Sequence, residues 1–236
     1  MGFQFDSAFF VYEIGIGIRF IPIVLLLSVI PLLLGLSVGG VIAVIRLLKV
    51  PLLHSLAALA VTFLRGVPLL LQLTILYLAV NIGAESLKEF GLGGFSAKDI
   101  SYTWVAVAGL SIHAAVYLSE VIRSALLAVP AGQYEAARAV GMNNRQLLLR
   151  IIVPQAMPVA LPLIGSNFIG LIKGSAVASL ISVVELLNGT QFEANGNYKF
   201  LEAYLAAALL YWLLCFLVEQ VIAFGENKLR ASGWSG

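Results

Sequence analysis

The chain has 236 residues, of which 61% are hydrophobic and 11% charged, with a formal net charge of +2 and a mean hydropathy of +1.00. A soluble domain is about half apolar and about a quarter charged, so a chain this apolar cannot cover itself with polar surface. The net charge is too small to indicate a nucleic-acid partner, and a lone cysteine, Cys215, excludes an intrachain disulfide.

Asp6 and Glu13 precede the first apolar run, where a cleaved signal would carry basic residues, so the first span is read as retained. A membrane helix needs roughly 20 predominantly apolar residues. Five stretches meet that length, at about 19–46, 55–80, 101–126, 155–187 and 202–224, and predict an all-α membrane protein made of one transmembrane domain, residues 1–236. Proline interrupts these spans at Pro22, Pro31, Pro68, Pro158 and Pro162; neighbouring helices can satisfy the backbone groups that such breaks release. Between the second and third spans, Gly83, Gly91, Gly93 and Gly94 predict turns in a connection at about 81–100. The fourth span is too long for a straight crossing. Gly170 and Gly174 stand in GxxxG spacing with Lys173 between them, which predicts a break or kink near Gly174. Asn188-Gly189-Thr190 reads as a turn after that span.

Charge alternates from loop to loop. Arg46 and Lys49 flank the first loop, Arg123, Arg138, Arg145 and Arg150 the third, and Lys228 and Arg230 follow the last span. The opposite side mixes Arg19, Lys88, Lys98 and Lys199 with Asp6, Glu13, Glu85, Glu89, Asp99, Glu193 and Glu202. The positive-inside rule then puts the N-terminus outside, the C-terminus in the cytoplasm and the polar segment 129–151 on the cytoplasmic side.

Within that segment Pro130 suits the first turn of a helix, and Glu135, Ala136, Ala137, Arg138 and Ala139 are good helix formers. Gly141 suits a helix end that needs positive φ, and Asn143 or Asn144 can cap a second short helix through Arg145 to Arg150. The pattern is Glu135-Ala136-Ala137, three residues, Gly141, nine residues, Ile151, two residues, Pro154. It resembles the EAA loop of ABC importer permeases, with Val153 where Leu is usual. Arg65-Gly66-Val67-Pro68-Leu69-Leu70 with Gln72, Tyr117-Leu118-Ser119-Glu120 with Arg123, Pro130-x-Gly132-Gln133, Pro154-Gln155-Ala156 and Leu171-Ile172-Lys173 resemble the polar amino acid (histidine and glutamine) permeases of that family. Gly174 and His113 depart from it, standing where Asp or Asn, and Asn, are frequent.

The resemblance covers about residues 20–225 and implies a type I importer fold in a bacterial inner membrane. It also implies two ATP-binding subunits, a second permease subunit, an external solute-binding protein, and ATP and magnesium held by the partner ATPase. Glu135, Ala136, Ala137, Arg138, Gly141 and Arg145 would then carry ATPase coupling. The chain itself contains no Gly-x4-Gly-Lys-Ser/Thr phosphate loop, no metal-ligand spacing around His54 or His113, and no catalytic constellation, so it reads as a transport subunit and not an enzyme.

Ionisable groups inside spans are costly and point to function. His113, Tyr117, Glu120 and Ser124 follow i, i+4, i+7, i+11 spacing and form one polar face, which either lines a pathway or packs on another helix. Glu120 is expected to pair with Arg123 or Arg65. Lys173 stands beside Gly174 and Ser175. If the helix breaks there, the free N–H groups of a following half-helix, with the lysine, would make a site for an amino acid carboxylate. The alternative is that Lys173 snorkels or pairs with Glu185 or Glu120. Asn167 on the same face, and Gln72 and Tyr77 in the second span, are further polar candidates. Two rival readings remain at this point: the same machine carrying an opine or compatible solute, and an ion-coupled carrier relaying protons through His113 and Glu120.

Overall fold

The computed structural model describes residues 5–90 and 99–231, with no side-chain description for the last two of these. The helices, in chain order, are α1 Ser7–Ile18, α2 Ile21–Leu47, α3 Leu53–Gly66, α4 Leu69–Glu89, α5 Tyr102–Leu127, α6 Ala131–Ala139, α7 Asn144–Leu147, α8 Val153–Gly174, α9 Leu186–Asn197 and α10 Phe200–Ala231. A π-helical segment, Leu148–Ile152, joins α7 to α8, and a 3₁₀ segment, Ser175–Ile181, extends α8. Five helical stretches are long and apolar enough to cross a membrane: α2, α4, α5, the run Asn144–Ile181, and α10.

In lipid there is no hydrophobic force between helices, so association depends on close packing of small residues. The α2–α5 pair is built this way. A Cβ at Gly35 would lie 2.6 Å from the Ala114 Cβ, and one at Gly39 would lie 2.7 Å from the Ala115 carbonyl oxygen. Gly35-x3-Gly39 is the same spacing singled out at Gly170 and Gly174, where Gly170 has nothing within 4 Å. Leu27, Leu73, Leu110 and Leu118 complete the core around this pair.

The predicted second span is two helices. Val67 is extended (φ −94°, ψ 126°) because the residue before a proline is driven out of the helical region. The Gln72 amide donates to the carbonyls of Leu64 (2.7 Å) and Val67 (2.8 Å) and so satisfies the groups this break releases. Gly83 lies inside α4 and makes no turn. Gly91, Gly93, Gly94 and Lys98 lie outside the described residues. Pro31, Pro158 and Pro162 lie inside continuous helices, and Pro22 at the start of one, so only Pro68 breaks a span.

One further expectation is corrected, and one helix is added. Asn188-Gly189-Thr190 belongs to the first turns of α9, with Gly189 against the Phe20 ring and Thr190 buried. Residues 7–18 form a helix before the first span, with the Asp6 carboxylate accepting the Phe9 N–H at 2.9 Å. This α1 packs on α9 and α10.

Candidate functional site

The loop between α5 and α8 is a helix, a glycine turn and a second helix. Pro130 precedes α6, whose inner face seats Ala137 against Ala125, Val129, Leu147 and Ile152. Its other face leaves Glu135, Ala136 and Arg138 exposed. Gly141 has φ +79°, and the Met142 N–H reaches back to the Ala137 carbonyl at 3.1 Å, closing the helix end as a left-handed glycine allows. Asn143 and Gln146 form a reciprocal capping box at the start of α7, with Asn143 accepting the Gln146 N–H at 2.9 Å. Arg138 donates to Asn144 across the turn at 3.1 Å, and Arg145 is exposed beside it.

The second helix of the loop is not a separate element, as the spacing predicts, but the first part of the fourth span. Pro154 has no N–H for the carbonyl four residues back, and its ring crowds that carbonyl. The wide π turn at Leu148–Ile152, placed just before it, relieves both problems without ending the helix. The exposed loop is thus joined to a membrane span by unbroken helix.

Above the loop lies a charged cluster. Glu120 receives Arg46 at 2.6 Å and Arg123 at 2.9 Å, while Arg65 stands at 3.9 Å. Arg123 is the expected partner; Arg46, 74 residues away on α2, is one that local spacing cannot reveal. The Arg65 guanidinium lies over the Tyr117 ring at 5.7 Å, and Tyr117 lies 4.6 Å from the His113 ring. His113 Nδ1 is 3.3 Å from the Gln72 amide oxygen. The polar face of α5 therefore packs against α2, α3 and α4.

Around Lys173 the expected broken end is absent. The Ser175 N–H donates to the Leu171 carbonyl, so helical bonding continues through Gly174 into the 3₁₀ segment. The next helix start is that of α9, and the Glu185 carboxylate already accepts the N–H groups of Leu187 and Asn188 there. Glu185 also accepts the Tyr211 hydroxyl, and the buried Ser175 Oγ lies 3.4 Å from that hydroxyl. Gly174 packs on Leu69, and Asn167 donates to the Leu163 carbonyl at 2.8 Å. Lys173 pairs with neither Glu185 nor Glu120. It opens into a cavity of about 450 Å³ between α8 and α10 that also presents Tyr211, Trp212, Phe216 and Glu219. Glu219 is the polar residue that sequence reasoning missed, although Tyr211, Cys215 and Glu219 share one face of α10 by i, i+4, i+8 spacing. Among the described residues no group of three His, Cys, Asp or Glu side chains could hold a metal ion.

A family model described as "Binding-protein-dependent transport system inner membrane component" matches residues 10–231. The chain is 35% identical over 232 residues to the Vibrio harveyi protein "Probable amino-acid ABC transporter permease protein PatM", covering 98% of each chain. It is 36% identical over 213 residues to "Probable amino-acid permease protein YxeN" of Bacillus subtilis (strain 168), covering 90% of each. The solved structure described as "Crystal structure of an amino acid ABC transporter with histidines" superposes with a TM-score of 0.80 at 26% identity, covering 96% of this chain and 100% of that one. An all-α bundle with five apolar spans, an exposed helix–glycine–helix loop rigidly joined to one of them, and a family match over nearly its whole length make this chain a multi-pass transport subunit, and it belongs to the inner membrane components of binding-protein-dependent transport systems.

Proposed function

We propose that the chain is the permease subunit of an ATP-driven amino acid importer and that residues 129–151 couple it to the ATPase. The observation that carries this reading is the α6–Gly141–α7 unit. It offers Glu135, Ala136, Arg138 and Arg145 to a partner while α7 runs unbroken into α8, so a push on the loop is delivered to a span. ATP and its magnesium belong to the partner ATPase subunits, two per complex. Solute arrives from an external binding protein, and a second permease subunit completes the pathway. The N-terminus lies outside and the C-terminus in the cytoplasm of a bacterial inner membrane. An amino acid cargo is supported by the resemblance to amino acid permeases and by the opposite charges on the α8–α10 cavity. The ion-coupled alternative finds no support, because Gln72 occupies His113 and arginines occupy Glu120.

The test is co-purification of the ATPase with the wild-type chain and with Gly141→Val. The space around Gly141 is open, so the substitution acts only through its positive φ. Loss of the ATPase from a folded Gly141→Val protein is the expected result. A wild-type protein that binds no ATPase would overturn the coupling role.

A further inference from the structure

Lys173 and Glu219 are exposed charges on spans, and among the described residues neither makes an ion pair. Cys215 lines the same cavity as Lys173, and Glu219 lies one helical turn further along α10. Cation and carboxylate thus face the same cavity from two helices, Lys173 from α8 and Glu219 from α10, with Glu219 about 5.4 Å along α10 from Cys215. The rest of the wall is aromatic and apolar. Trp212 and Phe216 stack at 5.7 Å with their planes at 19°, and Ile169 faces them. Two opposite charges on spans, facing one cavity, each call for a polar partner, since a charge left to lipid is costly.

We propose that this cavity is a subsite for a zwitterionic amino acid with an uncharged side chain. Lys173 takes the α-carboxylate, Glu219 takes the α-ammonium, and the Trp212–Phe216 stack takes the side chain. The balance of one cation and one carboxylate leaves no charge over for an ionic side chain, which sets a neutral amino acid apart from a cationic or anionic one. The inference rests on the importer reading and specifies where and what that importer binds.

Trp212 supplies the readout. The permease–ATPase complex is purified without binding protein and titrated with L-leucine, L-leucinamide (no carboxylate), 4-methylpentanoate (no ammonium), L-arginine and L-glutamate, following tryptophan emission. L-leucine is expected to give a saturable change that Trp212→Phe abolishes. L-leucinamide and 4-methylpentanoate should each bind at least about tenfold more weakly, the loss of one polar partner costing about 1.4 kcal/mol or more. L-arginine and L-glutamate should be weaker because each brings an unpaired side-chain charge to the aromatic stack. Lys173→Gln should erase the preference for leucine over leucinamide while Lys173→Arg keeps it. Glu219→Gln should erase the preference over 4-methylpentanoate. No saturable change with any compound, an unchanged order of preference in both Gln variants, or a preference for arginine or glutamate overturns the subsite. So does disassembly of paired permeases in Lys173→Gln and Glu219→Gln with ligand preference intact, which would make these charges interface contacts. An ATPase that still co-purifies, and uptake that still follows ATP, would leave the importer reading standing in each case.

Discussion

Gln72 and His113 meet at 3.3 Å across α4 and α5, and the same Gln72 amide group holds two carbonyls at the Gly66–Pro68 break. One side chain therefore fixes the junction of α3 with α4 and ties it to the central helix α5. Gln72→Leu removes all three contacts at little change in volume. Leaving partly buried acceptors unsatisfied costs about 1–3 kcal/mol each. The expected outcome is a lowered unfolding midpoint in detergent. Gln72→Glu, which can no longer donate to the two carbonyls, should be at least as harmful. An unchanged midpoint in both would show that the break is held by packing alone.

Glu120 is the shared counter-charge of Arg46 and Arg123, whose side chains are 13% and 33% exposed. Removing the acid leaves two guanidinium groups side by side. Glu120→Gln is expected to destabilise the chain by about 1–3 kcal/mol, and Arg46→Met to restore part of that loss in the double variant. Double-mutant analysis of thermal unfolding measures the coupling, and additive effects would count against the clamp.

Docking of α1 should depend on pH in two opposed ways. Burial pushes the Glu13 carboxyl above its ordinary value of 4.5, Glu193 adds to this, and neither Glu13 oxygen has a hydrogen-bond partner among the described residues. The docked state holds this proton more tightly than a released α1 would, so docking weakens as pH rises from about 4.5 through the raised value. The hydrogen bond from Lys199, with that from the Phe9 N–H, holds Asp6 below 3.8, so its contribution is present above that value and is lost as pH falls through the lowered one. Glu202, which accepts the Asp6 N–H at 2.9 Å, adds a third acid at this junction. Hydrogen-exchange protection of residues 7–18, taken relative to the intrinsic base-catalysed rate at each pH, should fall toward alkaline pH in the wild type and lose that trend in Glu13→Gln. An identical trend in both proteins would rule Glu13 out as its source.

The α2–α5 contact should tolerate no side chain at Gly39. A Cβ there meets the Ala115 carbonyl oxygen at 2.7 Å and the Ser119 nitrogen at 2.9 Å, both backbone atoms that cannot swing aside. Gly39→Val is expected to cost at least about 1–3 kcal/mol from overpacking and to reduce the folded yield. Gly170→Ala, where nothing lies within 4 Å, is the matched control and should fold normally. Equal yields of the two proteins would mean that α2 and α5 approach less closely than described.

Elements with local causes were legible. The five spans follow from apolar length, Gly141 from its place after Arg138-Ala139-Val140, and the α7 cap is narrowed to Asn143 or Asn144, of which Asn143 serves. What distance in sequence conceals was not: Arg46 reaches Glu120 across 74 residues, and nothing near either residue announces it. The interruption expected at Pro68 is there, where one helix ends and another starts, whereas Pro31, Pro158 and Pro162, which carry the same local signal, lie inside continuous helices. Twelve residues of α1 are too few to read as a span and were passed over beside Asp6 and Glu13. At Gly174 a change of helical pitch and a break carry the same sequence signal. Only the bond from Ser175 to Leu171 separates them, and it removes the free helix end on which an anion site was expected.

The glycine contacts between α2 and α5 have a mechanical consequence. Backbones touching this closely cannot slide or spread without losing their fit, so the pair acts as a stiff post. A machine that must alternate between two shapes then has to place its compliance elsewhere. The joints available are off the post: the Pro68 break and the narrow 3₁₀ segment beyond Gly174. The second lies at the far end of α8, the helix that receives the loop at its start and carries Lys173 near its end.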